Sequence, residues 1–248
     1  MTKRFAHLVI ASGILSLILA ATVAAQDFQK SYRIAAGGQI HLGNVSGDVI
    51  VRGYDGDAVI VKGFKEGADR DRLDVEDRSS EGRVDIGVRY PRNCNCEASI
   101  RFDVQVPRSI KYDFERVSSV SGNVEVSQVS GRIHATSVSG QVSVHDVSGS
   151  VNAKSVSGNV DVEIRRLDGA SDDMKFSSVS GNVDVRMPAE IDAEVDMSSL
   201  SGDINTDFPI EVTKERYGPR TNARGKLGNG SRRLQMSSVS GSLSLRRS

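Results

Sequence analysis

The 248-residue chain has no tryptophan, and aromatic residues make up only 5% of it. None lies between Phe114 and Phe176. The middle of the chain therefore lacks the flat rings that stack on bases, which counts against nucleic acid as a partner and, by the same lack of platforms, against glycan processing. Cysteine is almost absent: Cys94 and Cys96 stand one residue apart in Pro-Arg-Asn-Cys-Asn-Cys. A structural zinc site needs about four ligands, and no His or further Cys lies near the pair. The pair reads as a local disulfide or as two free thiols. No proline occurs between Pro107 and Pro188, so every strand in that stretch can donate a full ladder of hydrogen bonds. The sequence contains no Gly-x-Ser-x-Gly, no His-Glu-x-x-His and no P-loop. Neither a catalytic residue nor a cofactor or metal is expected.

Long apolar runs are missing as well, with one exception. Lys3 and Arg4 precede an uncharged apolar run that begins at Leu8 and ends in Val23-Ala24-Ala25, before Gln26. A basic start, an apolar middle and a small-residue end mark residues 1–25 as a signal peptide. An uncleaved anchor is the competing reading, since the run approaches the minimum for a spanning helix. No cysteine follows the run, so lipid anchoring is not expected. The chain is expected to be exported, and to be periplasmic, secreted or associated with the cell surface.

What is present in abundance is a beat. Glycines 122, 131, 140, 149 and 158 each follow Val-Ser at nine-residue spacing. Counting each glycine as zero, positions +2, +4 and +7 are all apolar, while +1, +3 and +5 are polar or charged. Such alternation between glycine corners predicts short strands with one buried face. The +7 residues Val129, Val138, Val147 and Val156 are expected inside with the rest. Position +4 alternates large and small (Val126, Ala135, Val144, Ala153, Val162), so the true repeat is 18 residues. Two opposed walls explain this, because Ala on one makes room for Val on the other. The fold class is all-β: a flattened parallel β-solenoid with about 18 residues per coil in the central block. Weaker copies occur at Gly47 and Gly56, and later ones at glycines 181, 202 and 241. The expected division is residues 1–25 as signal peptide and 26–248 as one solenoid domain. Within it, degenerate coils fill 31–116, regular coils 117–165 and longer coils 166–248. The charged run Lys65–Arg72 reads as a loop.

The Ser-Val-Ser-Gly-(Asn/Asp)-Val-x-Val repeats, with the closing Leu234-Gln235-Met236-Ser237-Ser238-Val239-Ser240-Gly241, resemble the DUF4097 family of bacterial envelope proteins. The resemblance runs from about Ser31 to Arg247. It implies a β-solenoid and carries an adhesin label, with no catalytic residues to transfer. The function it implies is a non-enzymatic exported envelope protein that binds or scaffolds. The alternatives are an enzyme acting on an envelope polysaccharide, or a protein of anionic membrane surfaces.

Three sets of residues are candidate sites. In an 18-residue coil Glu125, Ser143 and Asp161 line one outer face beside Ser127, His145 and Glu163; this reads as a solvated strand face rather than acid–base machinery. His134 belongs on the opposite face. Asn123, Gln141 and Asn159 are expected to form a structural amide ladder. Calcium is not expected at the turns, where Arg132 would oppose it. The strongest contact candidate is the basic C-terminal segment. From Glu211 onward nine Lys and Arg face two Glu in an otherwise acidic chain. Lys214, Arg216, Arg220, Arg224, Lys226, Arg232 and Arg233 form a patch suited to anionic lipid, polysaccharide or an acidic envelope partner. The competing reading is a charged hairpin that protects the open end of the solenoid.

Overall fold

The computed structural model describes residues 27–92, 95–167, 172–214 and 218–248. The expected signal peptide, Cys94 and Arg216 lie outside them, and so does the Cys94–Cys96 pairing. The strands are β1 (Phe28–Tyr32), β2 (Gln39–Gly43), β3 (Val49–Tyr54), β4 (Val59–Glu66), β5 (Asp74–Asp77), β6 (Arg83–Arg89), β7 (Ser99–Pro107), β8 (Lys111–Ser121), β9 (Val124–Ser127) and β10 (Ser130–Ser139). There follow β11 (Val142–Lys154), β12 (Val160–Arg166), β13 (Met174–Ser180), β14 (Val183–Met187), β15 (Ala193–Ser201), β16 (Ile204–Thr206), β17 (Glu211–Lys214), β18 (Thr221–Leu227), β19 (Arg232–Ser240) and β20 (Leu243–Arg247). Among the described residues a 3-10 turn, Arg70–Arg72, is the only helical element. Strand β4 runs on through Lys65 and Glu66, so only the later part of the charged run is a loop.

The strands wind into a two-walled parallel solenoid. On one wall Val142 pairs with Val124 and with Val160; on the other, Gly131 pairs with Gly149 and Ala135 with Ala153. Each partner is 18 residues away in sequence. Val126, Val144 and Val162 fill the interior from the second wall, against the Ala135 and Ala153 column of the first. Alternating side chains make this core continuous, because each strand turns every second residue inward. Where the alanine column ends, Phe176, Met236 and Met197 take its place.

Coils stack in chain order only in the middle. The first wall runs β5-β6-β2-β8-β10-β11-β13-β19-β15-β18-β17 and the second β1-β4-β7-β3-β9-β11-β12-β14-β20-β16. The first coil (β2, β3) and the last (β19, β20) are thus each wedged one place in from an end. Antiparallel strands cover three of the four outer edges: β4 on β7, β5 on β6 and β18 on β15. These caps occupy rows of backbone donors and acceptors that would otherwise recruit another chain. At the first end, the Asp77 carboxylate accepts from Lys30 Nζ (2.6 Å), Tyr32 Oη (2.9 Å) and the Ser79 amide (3.0 Å), tying β1 to β5.

The two corners of a coil differ, and this corrects the expected burial at +7. At one corner Gln128 and Asp146 adopt positive φ (57° and 56°), and Val129 and Val147 turn inward. At the other corner the equivalent residue is serine, and the following valine turns outward. Val138 is 45% exposed and Val156 is half-buried, whereas Val144 is fully buried. The reason lies in the serine. Its hydroxyl points inward and donates to the glycine carbonyl of the neighbouring coil: Ser137 to Gly122, Ser155 to Gly140 and Ser178 to Gly158, all at 2.8 Å. A strand alternates faces, so the next side chain must point to solvent. Glycine at this corner is required by close approach: a Cβ on Gly140 would run into the Gly122 carbonyl oxygen.

The amide ladder also takes a different form. Asn123 Oδ1 accepts from the Gln141 amide and Asn159 Oδ1 from the Asn182 amide, each at 2.9 Å. The side chains therefore extend the backbone ladder across coils instead of stacking amide on amide.

Candidate binding surfaces

The outward valines form a ridge. In stacking order it consists of Val45, Val120, Val138, Val156, Val179, Val239 and Leu200, one from each successive coil. Adjacent strands lie ~4.8 Å apart, so the ridge is roughly 29 Å long. An exposed apolar feature of this continuity marks an interaction surface more often than scattered single side chains do.

A groove of about 900 Å³ runs beside the ridge, along the solenoid axis. It crosses β8, β10, β11, β13, β19 and β15. Alternation sets its cross-section, because three outward residues of each strand make a lip, a floor and a lip. In β13 these are Lys175, Ser177 and Val179; in β10 they are His134, Thr136 and Val138. Small hydroxyl side chains at Thr136, Ser177, Ser237 and Ser198 make the floor, and their registers align them strand to strand except where Lys154 takes the same column. Among the described residues no protein group hydrogen-bonds these four hydroxyls, and neither Lys154 nor Lys175 has a carboxylate partner. Glu115, the acidic residue of the groove, is held by Arg83 at 3.3 Å.

The sequence-predicted sites are distributed as follows. Glu125, Ser143 and Asp161 do share one outer face, as their register pairs show. Their charges are matched within that face: Glu125 with Arg52 at 3.3 Å and Asp161 with Arg186 at 3.6 Å, and the His145 ring lies 3.9 Å from Asp161. Glu163 pairs in register with Arg186. His134 lies on the other wall, in the groove.

The basic segment is dispersed by its strands. Lys214 ends β17 and bonds Asp203 at 2.7 Å; that ammonium holds the Asp203 carboxyl below its ordinary range. Arg224 and Lys226 lie on β18, where Arg224 meets Asp196 at 3.4 Å. Arg233 faces Glu194 across the β15–β19 register. Arg232 points the other way and is buried. Arg220 reaches the end of the groove. Sequence reasoning grouped these residues by proximity in the chain, whereas alternate strand faces and interleaved acidic residues divide them. It missed the groove because serine in a repeat reads as a turn residue; the outward set at +5, one step before the corner serine, was the available signal.

Among the described residues there is no group of three or more His, Cys, Asp or Glu arranged to hold a metal, and no helix long and apolar enough to cross a membrane. No curated protein matches the sequence. The solved structures similar to this chain include a "putative cell adhesion protein" from Clostridium sporogenes, at 10% identity and a TM-score of 0.39, covering 89% of this chain and 99% of that one. Another is a "putative adhesin" from Bacteroides fragilis, at 12% identity and a TM-score of 0.43, covering 89% and 96%. The model of the DUF4097 family, described as Toastrack, matches residues 38–246, most of the chain and all of its stacked coils. By that match, this β-solenoid belongs to the DUF4097 Toastrack family.

Proposed function

We propose that this chain is a non-enzymatic, adhesin-like binding protein of the cell envelope, exported by its N-terminal segment. The observation that carries the reading is the groove and ridge, repeated over six neighbouring strands. A surface that repeats one residue pattern at each step suits an extended partner, held by many weak contacts acting together. Catalysis needs groups converging on one point in a pocket. The carboxylates that sequence analysis singled out lie instead on an open strand face, matched by Arg52 and Arg186. Export to the periplasm or cell surface rests on residues 1–25, whose sequence has the organisation of a signal peptide.

Two measurements test the reading. Expression in a bacterial host with cell fractionation and N-terminal sequencing should yield an exported product beginning at Gln26. The labelled product should bind isolated envelope fragments saturably and be displaced by unlabelled protein. Retention in the cytoplasm with an intact N-terminus, or binding that does not saturate, would refute it.

A further inference from the structure

The groove has a chemistry that narrows its occupant, given the adhesin-like reading on which this inference rests. Arg116, Lys154 and Lys175 line it against Glu115, whose charge is already met by Arg83. The imbalance favours an anionic occupant, because unpaired charges on a groove wall steer and retain the opposite sign. The floor is a line of unbonded hydroxyls, each able both to donate and to accept. One lip is wholly aliphatic, from Val179, Val239 and Leu200.

The period then separates the polymer classes. The rungs recur at ~4.8 Å, while side chains on one face of an extended peptide recur at roughly 6.6 Å and fall out of phase within two or three rungs. A helix, with a pitch of about 5.4 Å, stays closer to phase but docks through an apolar floor, and this floor is hydroxylated. An extended chain of β-linked pyranoses advances by close to one strand spacing per unit. It offers hydroxyls to the floor, C–H faces to the aliphatic lip and, when oxidised to uronic acids, carboxylates to the lysines.

We propose that this groove binds a linear, carboxylate-bearing polysaccharide laid along the solenoid axis, one sugar unit to a strand. Lys154 and Lys175 pair with its carboxylates, and Thr136, Ser177, Ser237 and Ser198 bond its hydroxyls. Lys175 stands on the lip opposite the valine ridge and Lys154 in the floor column, so the two lysines meet carboxylates at different depths across the groove.

The test titrates the purified full chain with a β-1,4-linked mannuronate hexamer and with β-1,4-mannohexaose, its uncharged counterpart. The acidic hexamer should bind, weakening as salt rises, and the neutral one should bind at least tenfold less well. The double variant Lys154→Glu/Lys175→Glu should weaken the acidic hexamer by about tenfold or more at low salt, with an unchanged unfolding midpoint. Ser177→Leu/Ser237→Leu, which fills the floor without altering charge, should weaken it too. Equal binding of both hexamers, or indifference to both double variants, overturns the proposal. Lysine-dependent capture of an acidic helical peptide in place of the hexamer overturns it as well. If the hexamer fails while the chain still binds envelope fragments, this ligand is wrong and the adhesin-like reading stands; if both fail, both are wrong.

Discussion

Replacing Ser155 by alanine isolates the interaction that shapes the solvent-facing corner. The Ser155 side chain is fully buried, and its hydroxyl donates to the Gly140 carbonyl one coil away at 2.8 Å. Alanine removes one oxygen, so packing changes little and the hydrogen bond dominates. An ordinary internal hydrogen bond contributes about 1 kcal/mol net, and a buried carbonyl that loses its donor costs about 1–3 kcal/mol. The expected loss is therefore about 1–2 kcal/mol. Ser157, two residues on in the same corner, is exposed and serves as the control, with a change within about 0.5 kcal/mol for Ser157→Ala. Urea unfolding followed by circular dichroism reads both: the midpoint should fall for Ser155→Ala, with the slope unchanged. Equal midpoints for the two variants would show that the inter-coil serine bonds contribute nothing, and the account of why the next valine points outward would fail with them.

Three further outcomes follow from the same geometry. Val144→Ala should cost about 1.5–3 kcal/mol through lost burial and a cavity, while Val138→Ala on the ridge should stay within about 0.5 kcal/mol, both read by unfolding midpoint. At Asp77, burial opposes the charge, but Lys30, Ser79 and Tyr32 together hold the folded carboxyl far below its ordinary value. A depressed carboxyl stabilises the fold above its unfolded pKa of about 3.9, and that contribution is lost as pH falls further, so Asp77→Asn should flatten the acid limb of the stability profile below about pH 4. Truncation before Arg232 removes Leu234, Met236, Leu243 and Leu245 from the core and empties a slot between β13 and β15. Four buried side chains at about 1.5–3 kcal/mol each rival the whole stability of a typical domain, so residues 172–231 should become protease-sensitive; full protection would refute the interior position of the last coil.

Much of the fold was legible because stacked coils obey local rules. Period-two alternation between glycines gives the inward faces, and the Val/Ala alternation at +4 gives two walls. The difference at +6 between Gln128 or Asp146 and Ser137 or Ser155 was also visible, though not its meaning: one pair sits at positive φ, the other donates across coils. The candidate basic site was less legible. Nearness in sequence placed Arg232 beside Arg233, but a strand sends neighbours to opposite faces, one buried and one exposed.

The sequence by itself determined a parallel solenoid with valine-filled walls, because a repeated pattern leaves each coil only copies of itself to pack against. The tertiary structure decided which copies. Coils that share one Val-Ser-Gly signature are interchangeable partners locally, so nothing in the repeat dictates that β2–β3 and β19–β20 enter one place in from the ends. That choice depends on the long connections and on caps such as β4 and β18, contacts distant in sequence. The same nonlocal winding aligned separate serines and lysines into a groove that no single repeat contains.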